Sequence, residues 1–150
     1  MPIISMYPSI IEKHSVSGID LKAIVARIIN HLPSDVLKGL NEITLLDEHD
    51  KCFGQYIHSA QRIELYVDDI VGWQPWLFKK TYFFPYICIG LELGSAIEHH
   101  VNRENVSPDD EYIAQNPLKY VYPSMGIFKH ILRLLFYIRT AYLKILRSKR

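Results

Sequence analysis

Four side chains that could take part in chemistry recur along one predicted helix, at a spacing that places them on the same face. Cys88, Glu92, Ser95 and His99 follow one another at intervals of four, three and four residues, close to the 3.6-residue turn of an α-helix. A carboxylate and an imidazole are the groups that general acid–base chemistry uses most often. If this face lines a cleft, Glu92 and His99 are its candidate functional side chains.

The residues around Glu92 resemble a degenerate zinc-binding motif. Residues 90 to 100 read Gly-Leu-Glu-Leu-Gly-Ser-Ala-Ile-Glu-His-His. In zincins a helix carries His-Glu-x-x-His, whose two histidines bind one zinc ion while the glutamate activates the zinc-bound water. Laid on that motif, this chain has Leu91 and Ser95 at the ligand positions and Glu92 at the position of the general base. The flanking small and apolar residues resemble those of small bacterial zincin-like proteins.

The order of predicted elements is similar to that of minimal zincin-like metallopeptidases, over roughly residues 20 to 120. A helix, a short turn, three strands and an aromatic connection precede the motif helix. In gluzincin-type members a later helix supplies an acidic third ligand, often a Glu followed three residues later by Ala and then Asp. Here Glu111 and Ala114 match that pattern, whereas Gln115 replaces the Asp. The resemblance implies a zincin-like α+β fold with Glu92, Ser95 and Glu111 at its site, and the shared helix face adds His99 as a further binding candidate.

The same comparison predicts that the site is catalytically silent. Leucine has no lone pair to donate, and a serine hydroxyl is a poor zinc ligand beside imidazole. Without zinc to lower the pKa of a bound water, Glu92 has nothing to activate. We therefore expect no cofactor, with zinc absent, and a pseudo-peptidase domain that acts by binding a protein or peptide partner.

Other readings of these residues stay open. One alternative interpretation makes Glu92 an ordinary solvated or hydrogen-bonded helix residue. It also makes His99 and His100 polar residues near a helix end, where a positive charge suits the dipole. A different alternative is a metallopeptidase that assembles its metal site from unusual ligands such as His99, His100 or His58.

The C-terminal region suggests a second kind of contact surface. All 16 acidic residues lie at or before Glu111, so that residues 112 to 150 carry eight basic residues and no acid. A predicted helix from about 127 to 147 places Lys129, Arg133, Lys144 and Arg147 opposite a broad apolar arc made of Phe128, Ile131, Leu134, Leu135, Ile138, Tyr142, Ile145 and Leu146. Such a helix packs on its own domain, lies on an anionic membrane or binds a partner; nucleic acid is the less favoured partner. A membrane-peripheral protein is thus a third functional hypothesis.

Periodicity predicts the elements that position these residues. Leu21, Ile24, Val25, Ile28, Ile29 and Leu32 form one apolar face of a helix over residues 20 to 31, with Asp20 as N-cap. Alternation over residues 43 to 46, 54 to 59 and 62 to 67 predicts a short antiparallel sheet of about three strands packed on helices. We divide the chain into an N-terminal arm (1–18), a zincin-like domain (19–122) and the basic amphipathic helix (123–150).

Composition fits an ordinary globular domain. The chain has 150 residues, of which 49% are hydrophobic and 22% charged, which excludes wholesale disorder. The longest uncharged stretch near the centre, residues 81 to 91, is too short to span a bilayer. Two scattered cysteines and the lack of a recognisable leader predict a cytoplasmic protein.

Overall fold

The described part of the chain is a mixed α+β structure. The computed structural model describes residues 7–16, 18–48, 53–72, 83–107, 114, 118–121 and 129–148. Its elements in chain order are β1 (Ser9–Glu12), α1 (Leu21–Ile29), β2 (Glu42–Leu46), β3 (Gly54–Ile57), β4 (Arg62–Tyr66), α2 (Val67–Gly72), α3 (Phe83–Val101), a 3₁₀ turn (Arg103–Asn105), α4 (Leu118–Val121) and α5 (Lys129–Ser148).

The first helix forms as its sequence predicts. The Asp20 side chain accepts a hydrogen bond from the backbone N–H of Ala23 at 3.0 Å, which satisfies one of the donors left open at a helix start. The apolar residues predicted to share a face are all buried, and they are Leu21, Ile24, Val25, Ile28, Ile29 and Leu32. The predicted N-cap and buried face are both confirmed.

The sheet differs from the predicted one. Within the described residues it has four strands, in the order β1-β2-β4-β3, and not three. β1 pairs with β2 in parallel and β2 with β4 in parallel, whereas only β3 and β4 pair antiparallel. The prediction of a three-stranded antiparallel sheet is therefore wrong, and Ser9–Glu12, which lies in the predicted arm, is an edge strand.

The connections explain this arrangement. β1 and β2 are joined through α1, and a helical crossover permits parallel neighbours. β3 and β4 are joined by a short turn at residues 58–61, so they form a hairpin. β2 and β3 are consecutive in the chain but not neighbours in the sheet, because β4 lies between them. Period-two alternation shows which residues share a face, but it carries no information on strand order.

Helices α1 and α3 pack against one face of the sheet. Ile43 and Leu45 of β2 and Ile63 and Leu65 of β4 are fully buried on that face, and α3 contacts β3, β4 and α1. Most of the alternate residues on the opposite face are polar, and among them Arg62 lies 3.6 Å from Glu42 and 3.4 Å from Glu64. The fold thus places the predicted motif helix directly beneath the edge strand β3.

Gly54 is the point of closest approach between β3 and α3. A Cβ atom at this position would lie 3.0 Å from Leu65 Cδ2, 3.2 Å from the Glu64 carbonyl oxygen and 3.4 Å from Glu92 Cβ. The first two distances are shorter than ordinary van der Waals separation. A residue without a side chain therefore lets the edge strand come close to the helix at Glu92.

We predict that Gly54→Val destabilises the protein by about 1–2 kcal/mol, because overpacking outweighs the better strand propensity of valine. Urea unfolding measures the change. The matched control is Ser9→Val on the exposed edge strand β1, for which we expect a change within about 0.5 kcal/mol. Equal stability of Gly54→Val and wild type would contradict the close packing of α3 on β3.

Candidate functional site

The candidate site lies where α3 passes beneath β3. Glu92 lies under Gly54, and the His99 ring lies 4.9 Å, centroid to centroid, from the ring of Tyr56. The step from Gly54 to Tyr56 along β3 covers about 7 Å, and the step from Glu92 to His99 along α3 covers about 10 Å. The strand and the helix therefore run side by side here. Of the predicted face, Cys88 and Glu92 are buried, with 8% and 6% of their surface exposed, whereas Ser95 and His99 are half-buried. Glu111 lies outside the described residues.

Cys88 is not available as a nucleophile. Burial, together with the smaller effect of the nearby Glu92 carboxylate, raises the pKa of its thiol to about 12. Because the thiolate is the reactive form, a thiol that stays protonated at neutral pH is inert.

The two positions that align with zinc ligands hold side chains with other roles. Leu91 is 8% exposed and belongs to the hydrophobic core. The Ser95 hydroxyl donates a hydrogen bond of 2.9 Å to the backbone carbonyl of Leu91, one turn earlier on the same helix. One position thus stabilises the core, and the other binds its own helix backbone.

A cluster of aromatic and imidazole rings lies at the C-terminal end of the face. The ring of Tyr56 lies within 6.3 Å, centroid to centroid, of the rings of His58, His99 and His100. His58 Nε2 is 3.2 Å from the backbone carbonyl of Arg103, to which it can donate. The cluster joins the edge strand to the end of α3 and to the turn that follows.

His100 is the buried centre of this cluster. It is 0% exposed, and its Nε2 lies 2.9 Å from the carbonyl oxygen of Lys38 while its Nδ1 lies 2.9 Å from the Tyr56 hydroxyl. Since a carbonyl only accepts, Nε2 carries the proton and Nδ1 accepts from the hydroxyl. A neutral imidazole therefore satisfies both bonds.

Arg103 holds the other side of the cluster. Its Nη1 donates to the carbonyl oxygen of His100 at 2.8 Å. Its guanidinium also passes over Gly39, which has a φ of +85° and where a Cβ would lie 2.9 Å from Nη2. Glycine at position 39 thus permits both the left-handed backbone conformation and the close approach of the Arg103 guanidinium.

The expectation that a positive charge suits His99 and His100 differs from what the structure shows. Burial lowers the pKa of His100, and the hydrogen bond to the Lys38 carbonyl raises it by a smaller amount. The nearby Arg103 and His99 lower the pKa further. Burial also lowers the pKa of His99, with a smaller effect of His58 in the same direction. The helix dipole is outweighed by desolvation because the rings face the sheet.

Sequence reasoning did not identify Tyr56 and Arg103 as members of the site. For His100 a usable signal exists, because it lies three residues after Ile97 and seven after Leu93, both fully buried. This spacing places His100 on the buried stripe of α3. No comparable signal marks Tyr56 or Arg103, whose roles depend on contacts distant in sequence.

The described residues give no metal-binding constellation. Among them, no group of three His, Cys, Asp or Glu side chains is placed to hold a metal ion. Both ring nitrogens of His100 are engaged within the protein. The rings of His58 and His99, the other histidines of the unusual-ligand hypothesis, lie 6.3 Å and 4.9 Å, centroid to centroid, from the ring of Tyr56.

The outer edge of β3 offers backbone groups beside this face. The Tyr66 N–H donates to the Phe53 carbonyl at 2.9 Å, so these opposed residues are a hydrogen-bonded pair. Antiparallel pairing alternates, and the N–H and C=O groups of Gly54 and Tyr56 therefore point away from β4. Within the described structure no hydrogen bond is formed to these outward groups.

The predicted basic surface is described in part. Arg133 and Lys144 are exposed on α5, whereas the side chains of Lys129 and Arg147 lie outside the described set. None of the helices in the described ranges combines the length and apolar character that crossing a membrane requires.

No protein-family model matches the chain, and neither a curated protein sequence nor a solved structure is significantly similar to it. The resemblance to zincin-like proteins therefore rests on the residues quoted above and on the order of the elements.

We predict that the free energy of unfolding falls as the pH is lowered from about 6.5, which is the ordinary pKa of histidine. His99 and His100 have lowered pKa values in the folded protein, so the unfolded chain binds more protons in this range. Their stabilising effect is present above the unfolded pKa and is lost as the pH falls through the folded values. Urea unfolding across pH 7 to 5 measures the slope.

Two variants test whether His100 contributes to this dependence of stability on pH. His100→Gln removes the buried imidazole, and we expect a shallower dependence on pH. The matched control, His31→Gln, removes an exposed imidazole and should keep the slope of the wild type. The assignment would be wrong if both variants changed the slope equally.

Proposed function

We propose that this chain is a zincin-like domain without a working zinc centre, which acts by binding an extended peptide segment of a partner protein. The observation that carries the proposal is the state of the motif helix. Leu91 lies in the core and Ser95 binds its own helix backbone, while Glu92 remains at the position of the general base, beneath the edge strand. The order of α1, three strands, α2 and α3 supports the likeness to minimal zincin-like proteins.

Catalysis by the zincin route is not part of this proposal. Glu92 would need a zinc-bound water as the group from which it takes a proton. Leucine at position 91 supplies no ligand, and the hydroxyl of Ser95 is committed to a carbonyl one turn away. The residues that would hold a metal therefore do not fit one, and we assign Glu92 no proton transfer.

Binding at this place has a physical basis in β3. An extended peptide can add to a sheet edge that presents backbone donors and acceptors, and Gly54 and Tyr56 present theirs outward. The half-buried Ser95 and His99 lie on the helix beneath, where they can contact alternate side chains of the peptide. Backbone pairing would give affinity, and these side chains would give selectivity.

The zinc content of the purified chain tests the first part of the proposal. Without chelators, we expect less than about a tenth of an equivalent in the wild type and in Glu92→Gln, since the ligand pair is missing. The double variant Leu91→His/Ser95→His restores histidines one turn apart, and we expect it to retain more zinc than the wild type or either single variant. The single variants are the matched controls. Close to one equivalent in the wild type would overturn the proposal.

The second part is tested by peptides selected for binding from a random display library. On titration into the isotopically labelled chain, we expect the amide signals of Gly54 and Tyr56 to shift. The amides of Ile10 and Glu12, which point outward from the opposite edge strand, serve as the internal control. N-methylation of alternate peptide residues should weaken binding about fivefold for each lost hydrogen bond.

A variant on the protein side completes this test. Ser95→Trp places a bulky side chain on the accessible part of the face and should reduce binding, whereas Ala23→Trp on the exposed side of α1 should not. Peptides that shift the β1 amides instead, or a library that yields no binding peptide, would count against the β3 edge as the binding site.

A further inference from the structure

The terminal helix α5 presents an unusually apolar surface to solvent. Its side chains are described at ten positions, and all of them are exposed: His130, Ile131, Arg133, Leu134, Tyr137, Ile138, Ala141, Lys144, Ile145 and Ser148. The exposed fractions of the five large apolar ones, Ile131, Leu134, Tyr137, Ile138 and Ile145, lie between 39% and 63%. Single exposed apolar side chains are normal, but a contiguous group marks an interaction surface.

These exposed residues belong to the apolar arc that the sequence defines. Ile131, Leu134, Ile138 and Ile145 are the members of that arc whose side chains are described, and each of them faces solvent. At 3.6 residues per turn they cover only about 60° of the helix circumference and extend about 21 Å along its axis. Although α5 contacts α3, the described half of the arc is therefore largely open to solvent.

The exposed surface changes character in a regular order around the helix. Arg133 and Lys144 lie on one flank and Tyr137 follows. The exposed His130, Ser148 and Ala141 then come between Tyr137 and the four aliphatic side chains. Tyrosine has an apolar body with a polar tip and suits a boundary between water and an apolar phase. The order from cation to tyrosine to aliphatic residues matches the passage from the headgroups of a bilayer to its acyl chains.

The charge of the helix selects the kind of surface. Between residues 129 and 148 the sequence has five Lys or Arg residues and no Asp or Glu. A helix with this composition is repelled by basic surfaces and attracted to anionic ones.

From these observations we propose that α5 binds in the plane of an anionic lipid bilayer, with Ile131, Leu134, Ile138 and Ile145 inserted among the acyl chains and Arg133 and Lys144 at the headgroups. The insertion is about 5–10 Å deep, as expected of an amphipathic interfacial helix. This surface is separate from the β3 edge, so the inference does not rest on the proposed peptide binding.

Co-sedimentation of the full chain with lipid vesicles tests the inference. The probes are phosphatidylcholine vesicles with about 30% phosphatidylserine and vesicles of phosphatidylcholine alone. We expect binding to the anionic vesicles, little binding to the neutral ones, and a decrease as salt screens the attraction. Absence of binding to anionic vesicles at low salt would overturn the inference.

Charge and apolar variants separate the two contributions. Arg133→Glu/Lys144→Glu should weaken partition by about 25-fold or more, at roughly fivefold for each lost cation. Lys13→Glu/Lys22→Glu makes the same change of net charge at exposed positions elsewhere, and we expect it to bind nearly as the wild type does. Equal losses in both variants would mean that net charge alone drives adsorption, and would overturn a docking role for α5.

The apolar variant Leu134→Ser/Ile138→Ser should also lose binding to anionic vesicles, with the same helix content by circular dichroism. If it bound vesicles unchanged, insertion of the aliphatic residues would be wrong. Sedimentation velocity distinguishes the other occupant of this face. The surface would belong to a second copy of the chain if the wild type dimerised without binding vesicles and Leu134→Ser/Ile138→Ser stayed monomeric.

Discussion

The close contact between α3 and the edge strand β3 determines what the rest of the structure can do. It exists because Gly54 has no side chain where the helix passes at Glu92. With the strand this near, the ring of Tyr56 reaches His99 and His100, and His100 in turn binds the turn that contains Lys38. One small residue thus brings together the strand, the motif helix and the turn after α1.

This packing converts most of the polar residues of the site into structural ones. A buried polar group is destabilising unless it is hydrogen-bonded, and the site meets that requirement internally. Ser95 binds the Leu91 carbonyl, while His100 binds Tyr56 and Lys38. What remains for contact with other molecules is the half-buried surface of Ser95 and His99 and the outward backbone of β3. A site arranged in this way suits recognition of an extended chain better than chemistry on it.

The sequence predicts local features well and non-local ones poorly. Helix α1 follows from Asp20 and from an apolar period that a single buried face requires. The order of the strands depends on which strands pair in space, and in this sheet β4 lies between β2 and β3. Neither hydrophobic periodicity nor strand propensity predicts that order. The sequence does not predict the role of Tyr56 for the same reason. Its contacts with the rings of His99 and His100 join residues more than forty positions apart. The spacing of His100 from Leu93 and Ile97 indicates its burial, whereas its polar side chain and its position near the helix end favour the interpretation that a positive charge there suits the dipole.

The division of charge along the chain links the two proposed surfaces. By subtraction from the totals, residues 1 to 111 carry nine basic and 16 acidic residues, a net charge of −7, whereas residues 112 to 150 carry +8. On an anionic bilayer the basic helix is attracted and the acidic body is repelled within a Debye length of about 8 Å. These opposed forces favour an orientation in which α5 lies against the lipid and acidic parts of the body turn to the aqueous side. A peptide ligand for the β3 edge would then be recruited from solution to a membrane-bound domain, with each surface working independently of the other.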